Sequence, residues 1–276
     1  MTSQGLTDHA AHRLSLVCAV VLLILATVSS PSPSATRERR VAQIGLFGDS
    51  LAVQAEPYFN MLVQAGGKAQ VTDFTYGGTA ACDWLSKMRR FARHQHPEAV
   101  VFEFIGNTFT ACMEGCRFRS PAAVSLYCSA ISSAINVFLH LGTHVFLIGA
   151  PITRSEWLTH DTNWGGLNRA FAGLAAKHPK QVSYVDAGRA VEGPGQSYVS
   201  TLPCLFFEPC TGPTVGGIQT NIVRSPDGVH FCPDLVGNAV GVVPGCTTYS
   251  SGAFRFAAAM AGPVLRQFHL GRTQHG

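Results

Sequence analysis

A serine and a nearby histidine and aspartate lie in two separate turn-like segments, and together these residue types can perform nucleophilic catalysis. Ser50 follows an apolar run in "LFGDSLAVQA", and Asp227 and His230 are three residues apart in "SPDGVHFCP". A serine hydroxyl is a weak nucleophile until a base accepts its proton, and a histidine base needs a carboxylate that fixes its tautomer. We therefore predict Ser50 as the nucleophile, His230 as the base and Asp227 as the orienting acid.

Each of these residues also has a purely structural interpretation. Serine is common at the N-cap of a helix, and Ser50 precedes an amphipathic stretch. Asp227 could close an Asx-type turn, with His230 following it incidentally. Asp49 is expected to orient the turn and not to serve as the third catalytic group, because a residue adjacent to the nucleophile seldom reaches the far side of the histidine.

Two further loops could supply hydrogen-bond donors to the oxyanion of a tetrahedral intermediate. Gly77 and Gly78 lie in "TYGGTAACDW", and Gly106 and Asn107 lie in "FEFIGNTFT". A glycine N–H lets a substrate oxygen approach closely, and an asparagine amide adds a side-chain donor. Together the two loops could stabilise the negative charge that develops during acyl transfer.

From residue 43 onward, short apolar runs alternate with segments of helical periodicity, which is the pattern of parallel strands joined by crossover helices. The predicted strands cover residues 43–47, 69–74, 99–105, 144–148 and 182–185. The predicted helices cover residues 50–64, 83–93, 121–140, 164–178 and 250–268. Ser50 and both glycine loops then lie at the carboxyl edge of the sheet, where open α/β folds bind ligands. Residues 190–226 lack sustained periodicity and are expected to form a long loop.

These segments resemble the sequence blocks of the SGNH or GDSL hydrolases. "FGDSL" is similar to the first block, with Ser50 as the nucleophile, and "DGVH" to the last, with Asp227 and His230. "YGGTA" resembles the second block, which implies Gly78 as a backbone donor. "IGNT" resembles the third, which implies Asn107 as a side-chain donor beside the Ser50 N–H. The resemblance extends over residues 43–268 and implies a flavodoxin-like α/β fold, a three-layer α/β/α sandwich with a central parallel sheet of about five strands.

The third block departs from the family pattern Gly-x-Asn-Asp. Ile105 stands at the glycine position and Thr108 at the aspartate position. Asn107 itself is retained, so the resemblance still implies its oxyanion role, while the hydrogen bonding inside this loop is left open.

The first 42 residues differ in composition from the rest. Residues 14–28 are apolar apart from one serine and one threonine, with Arg13 before them and a Pro/Ser-rich stretch after them. As a helix this segment spans about 23 Å, short of the ~30 Å hydrocarbon core. We expect a signal peptide or an uncleaved signal-anchor at 1–30, a linker at 31–42 and an SGNH hydrolase-like domain at 43–276. The protein would be secreted or held at the cell envelope or the periplasmic side of the membrane, with this segment as the tether if it is retained.

Cysteine usage agrees with export. Nine cysteines are present, and the eight that follow Cys18 form an even set, which favours disulfides in an oxidising compartment. The first pairs we expect are Cys204 with Cys210 and Cys232 with Cys246. The spacings are not those of zinc knuckles, so no metal site is predicted. The net charge of +4 does not indicate a nucleic-acid partner.

The leading hypothesis from the sequence is an exported serine esterase that removes an acyl group from a cell-envelope lipid or carbohydrate and needs no cofactor. An O-acyltransferase would use the same acyl-enzyme with a sugar hydroxyl as acceptor. A catalytically silent binding module would keep the fold alone. The substrate class is an acylated small molecule, lipid or glycan, and no oligomeric state is predicted.

Overall fold

Five parallel strands form the central sheet of the protein. The computed structural model describes residues 41–114, 121–154, 163–234 and 246–268. The sheet has the order β2-β1-β3-β4-β5. Its strands are β1 (Ala42–Gly48), β2 (Ala69–Thr75), β3 (Ala99–Glu103), β4 (His144–Ile148) and β5 (Val182–Val185). Because Gly48 of β1 lies opposite Thr75 of β2 and Glu103 of β3, these three strands end at the same edge.

In the described part of the chain, five α-helices connect or follow these strands, close to their predicted bounds. They are α1 (Ser50–Gln64), α2 (Leu85–Gln95), α3 (Pro121–Leu139), α4 (Asn163–Lys177) and α5 (Ser251–Phe268). The predicted start of the second helix was two residues too early because a short 3₁₀ helix, Ala81–Trp84, precedes it.

The sheet separates two apolar cores. Along β1, Ile44 and Leu46 point into the core covered by α1 and α5, whereas Phe47 points into the core covered by α2, α3 and α4. Val101 and Phe102 of β3 divide between the same two cores. This alternation is what a strand buried on both faces requires. The predicted three-layer α/β/α sandwich with a five-stranded parallel sheet is therefore confirmed.

The segment predicted as a long loop contains a second, small sheet, so that prediction is wrong in part. Three antiparallel strands, β6 (Thr201–Pro203), β7 (Thr214–Val215) and β8 (Ile218–Ile222), have the order β6-β8-β7. Glu208, in the segment between β6 and β7, is buried and connects the small sheet to α5, because its Oε1 accepts a hydrogen bond from Arg255 at 2.7 Å. Strands of two to five residues are too short to give a periodic signal.

Three disulfides are present among the described residues. Cys204 pairs with Cys210 and Cys232 with Cys246, as expected from the sequence, and Cys82 pairs with Cys112. Such a set is typical of proteins that fold in an oxidising, extracellular-type environment. Cys128 is not in a disulfide, so a fully paired set is not found. Its remaining candidate partner, Cys116, lies outside the described residues.

The disulfide pattern predicts the thiol content of the purified full-length protein. Six of its nine cysteines are paired, so denaturation without reductant should expose at most three reactive thiols, those of Cys18, Cys116 and Cys128. The same sample after reduction, the internal control, should give nine. Thiol labelling followed by intact-mass measurement makes the count. Four or more labels before reduction would show that at least one of the three disulfides does not form.

None of the helices in the described ranges is both long and apolar enough to cross a bilayer. The apolar segment at 14–28 and the proposed linker up to residue 40 lie outside those ranges. The assignment of residues 1–30 as a signal peptide or signal-anchor therefore stays a prediction, as do the domain bounds.

Candidate active site

The turn Gly48-Asp49-Ser50 joins β1 directly to α1. Gly48 is required because a Cβ there would lie 2.7 Å from the Glu103 carbonyl oxygen of the neighbouring strand and would clash with Ala52. Asp49 is the N-cap of α1, and its Oδ1 accepts a hydrogen bond from the Leu51 N–H at 3.3 Å. The interpretation of Ser50 as the helix cap is therefore wrong, because the cap is its neighbour.

The three residues predicted as a triad come together in one hydrogen-bonded chain. The Ser50 Oγ lies 3.0 Å from Nε2 of His230, and Nδ1 of His230 lies 2.6 Å from Oδ2 of Asp227. With Nδ1 as the N–H donor to Asp227, Nε2 is left as the acceptor for the serine proton. Ser50 and His230 are 180 positions apart in the sequence, so only the fold brings them together.

The carboxylate of Asp227 is held in its charged form. Burial alone would raise the pKa of Asp227, but the His230 side chain and the backbone N–H groups of His230 and Val229 donate to it and lower the pKa to about 2. The two backbone bonds, both to Oδ1, measure 3.0 and 2.8 Å. The Asx-type turn considered for Asp227 thus exists, and it coexists with the bond from Oδ2 to His230.

Buried polar side chains fix the loop that carries Asp227 and His230. Arg224 is only 2% exposed and donates to the carbonyl oxygens of Val229 at 3.0 Å and Ile152 at 2.5 Å. Gln54 of α1 accepts a hydrogen bond from the Phe231 N–H at 2.7 Å. Neither residue was predicted from the sequence, because neither stands in a motif.

The two predicted oxyanion loops lie beside this triad and are linked covalently. Asn107 donates from Nδ2 to Asp49 Oδ2 at 2.9 Å and to the Thr79 carbonyl oxygen at 3.3 Å. The Cys82–Cys112 disulfide joins the segment after Gly78 to the segment after Asn107. The loops that follow β2 and β3, the two strands that flank β1, are therefore joined to each other.

The backbone donors expected for an oxyanion are at helix and turn positions. Ser50 is the first residue of α1, and within the described part of the chain no acceptor takes its N–H, whereas the N–H groups of Leu51 and Ala52 are capped. A free N–H at a helix start attracts negative charge. Gly78 is exposed and has φ +79°, a conformation that favours glycine. Its role as a donor stays a prediction.

The departure from the third sequence block has a structural counterpart. The Ile105 N–H donates to Asp49 Oδ2 at 2.7 Å, and Gly106 has φ +92°. A backbone donor and the Asn107 amide thus both hold this loop against Asp49, so the loop is fixed without the usual aspartate at the Thr108 position. The described residues contain no group of three or more His, Cys, Asp or Glu side chains suited to a metal ion.

Solved structures share this fold at low sequence identity. A lipase/acylhydrolase from Enterococcus faecalis is 16% identical with a TM-score of 0.55, over 82% of this chain and 97% of that chain. A protein described as an acylhydrolase from Bacteroides fragilis is 14% identical with a TM-score of 0.51, over 84% of this chain and 92% of that chain. No curated protein is significantly similar to the sequence. Residues 43–235 match the model of the family described as "Protein of unknown function (DUF459)", so the chain belongs to that family, and its fold is that of the SGNH hydrolases.

Proposed function

We propose that this protein is a serine esterase with Ser50 as nucleophile, His230 as general base and acid, and Asp227 as the group that orients the histidine. The observation that carries the proposal is the unbroken hydrogen-bonded chain from Ser50 Oγ through His230 to Asp227. A binding module would have no need of this alignment, and all three members are present.

The first half-reaction forms an acyl-enzyme. His230 Nε2 accepts the Ser50 proton as Oγ bonds to the ester carbonyl carbon, and the carbonyl oxygen becomes an oxyanion. The tetrahedral intermediate then collapses, and the leaving alkoxide takes the proton from His230 and departs as an alcohol. In the second half-reaction water attacks the acyl-enzyme by the same proton transfers and releases the carboxylic acid.

The oxyanion is proposed to be stabilised by the N–H groups of Ser50 and Gly78 and by the Asn107 amide. Asn107 makes its shorter bond to Asp49 at 2.9 Å and its longer one to the Thr79 carbonyl oxygen at 3.3 Å. The Asn107 N–H that makes the longer bond could instead donate to the substrate oxygen. Loss of one such donor typically costs about 10²- to 10³-fold in rate.

The substrate is proposed to be an acylated lipid or glycan outside the cytoplasm. Three disulfides and the apolar segment at 14–28 support an exported protein. The folds compared above belong to proteins described as lipases or acylhydrolases, which is compatible with ester chemistry on this fold. The mechanism uses side chains and backbone groups alone.

A panel of esters that vary in acyl length tests this function. We expect the purified full-length protein to hydrolyse at least one member at a rate that His230→Ala lowers by about 10³-fold or more. Adding a sugar acceptor at increasing concentration separates hydrolysis from acyl transfer, because a transferase forms the sugar ester at the expense of free acid. No turnover of any ester, or turnover that survives in His230→Ala, would contradict the proposal.

A further inference from the structure

Two buried carboxyl groups lie side by side behind the Ser50 turn. Asp49 follows β1, and Glu103 ends β3, the adjacent strand, where its carbonyl oxygen accepts a hydrogen bond from the Asp49 N–H at 3.2 Å. Both residues are 0% exposed. Two negative charges side by side in a site buried from solvent repel each other and lack hydration. Such a pair is therefore expected to retain one proton.

The hydrogen bonds indicate which of the two carboxyls holds the proton. Asp49 accepts three N–H donors, those of Leu51, Ile105 and the Asn107 side chain. Among the described residues, the Glu103 carboxyl accepts one hydrogen bond with a good distance and angle, from the Ala52 N–H to Oε2 at 3.0 Å. Its Oε1 is buried and has no donor within the described residues. Three donors stabilise a carboxylate at Asp49, and a hydroxyl at Oε1 gives Glu103 a hydrogen bond to make.

We propose that Glu103 is a positioning residue that remains a neutral carboxylic acid and donates a hydrogen bond from Oε1 to Asp49. Asp49 in turn accepts hydrogen bonds from the Ile105 N–H and the Asn107 amide. Glu103 therefore fixes the loop that follows β3 against the turn that carries Ser50. The consequence for catalysis rests on the function proposed above, whereas the position of the proton does not.

The pKa shifts of the two carboxyl groups and of a neighbouring tyrosine agree with this arrangement. Burial, followed by the charge of Asp49, raises the pKa of Glu103 well above its usual range. Burial also raises the pKa of Asp49, to about 6, against the opposing effect of the Ile105 and Leu51 N–H groups and of His230. Tyr127 of α3 faces both carboxyls, and burial raises its pKa too, so this phenol stays neutral. Asp83 faces Tyr127 from the 3₁₀ helix before α2.

Two substitutions of similar size separate the hydrogen bond from the charge. Glu103→Gln keeps a neutral group of similar shape, with an oxygen that can accept from the Ala52 N–H and an NH₂ that can donate to Asp49, and so mimics the protonated acid. Glu103→Leu keeps the volume and removes both. We expect Glu103→Gln to retain kcat within about threefold of wild type. We expect Glu103→Leu to lose about 10- to 100-fold in kcat with a smaller change in KM, because a displacement of about 1 Å in catalytic groups costs on the order of 10²-fold.

The pH dependence of unfolding reports the proton without any use of activity. A group whose pKa is raised on folding stabilises the protein fully below its unfolded pKa, about 4.3 for glutamate, and this stability is lost as the pH rises towards the folded value. Wild type should therefore lose stability between pH 5 and pH 8 relative to Glu103→Gln. The Tm of Glu103→Gln minus that of wild type should increase steadily over this range. Asp49, whose pKa of about 6 lies inside this range, is present in both proteins beside a neutral hydrogen-bond donor at position 103. His230 and Tyr127 are also present in both, so the presence of these three groups alone creates no difference.

Thermal unfolding from pH 5 to pH 8 and ester kinetics of the three full-length proteins decide the question. A Tm difference that grows with pH, with kcat retained in Glu103→Gln and reduced in Glu103→Leu, supports the proposal. A Glu103→Gln protein that fails to fold, a Tm difference that is flat or falls with pH, or Gln and Leu variants with equal kcat would overturn it. If instead wild type itself has no esterase activity, the function proposed for Ser50 fails, while the Tm comparison still tests the proton on Glu103.

Discussion

Replacing Ser50 with alanine is expected to abolish ester hydrolysis and to lower the free energy of unfolding by no more than about 1 kcal/mol. Loss of a triad nucleophile typically costs on the order of 10⁴- to 10⁶-fold in rate. The hydroxyl contacts His230, while Asp49 caps the helix, so the change removes one net hydrogen bond worth about 1 kcal/mol. The measurements are kcat/KM on the best ester of the panel and the free energy of unfolding of each protein.

Ser250 provides the matched control, because it is the serine that does cap a helix. Its Oγ accepts a hydrogen bond from the Ala253 N–H at 3.1 Å and donates to the Phe231 carbonyl oxygen at 2.9 Å. Ser250→Ala should lower the free energy of unfolding by about 0.5–2 kcal/mol and keep most of the activity of the folded protein. If Ser50→Ala showed this same pattern, lower stability with activity retained, Ser50 would have a structural role only.

Asp227→Asn should lower kcat by about 10⁴-fold with the loop still folded. The asparagine oxygen can accept the backbone N–H groups of Val229 and His230, but its amide would donate towards His230 Nδ1 and favour the tautomer that cannot accept the serine proton. Kinetics on the same ester measure the effect. A variant that retains more than a tenth of wild-type kcat would remove Asp227 from the mechanism.

The same substitution predicts a change in acid stability. Because the pKa of Asp227 is lowered to about 2, the residue stabilises the folded state above its unfolded pKa of about 3.9, and that contribution is lost as the pH falls towards 2. Wild type should therefore be more stable than Asp227→Asn at pH 7, and the two should converge near pH 2 to 3. A difference in Tm that stayed constant from pH 7 to pH 3 would contradict this assignment of the charge.

The sequence predicted those parts of the fold that depend on local patterns. Apolar runs located β1, β3 and β4 most clearly, because these strands are largely buried on both faces and contain few polar residues. The edge strand β2 is only partly buried and has polar residues at four of its seven positions, so its apolar signal is weaker. The residue types of the proposed triad were also readable, since a serine after a strand and an aspartate three residues before a histidine occur in turns whose place in an α/β fold is known. Their alignment within 3.0 Å is a property of the folded chain alone.

Features that depend on long-range packing were not predicted. The Cys82–Cys112 pair joins segments that only the β2-β1-β3 order brings together. Asp49 was not predicted as the cap of α1, and the alternative that made Ser50 the cap is wrong by one residue, because both side chains are suited to capping. Glu103 did leave a signal, as the one acidic residue in the apolar segment "AVVFEFI", but only its contacts with Asp49 and Ala52 give that carboxyl group a role.

Labelling with a fluorophosphonate probe, followed by peptide mapping, tests the central claim most directly. The probe forms a covalent bond only with a serine whose hydroxyl has been activated by a base, so the label identifies the nucleophile itself. The full-length protein should carry one label, on the peptide that contains Ser50, and neither Ser50→Ala nor His230→Ala should be labelled there. A wild-type protein that hydrolyses an ester and carries its label on another serine, or a Ser50 peptide that is labelled equally in wild type and His230→Ala, would contradict the account.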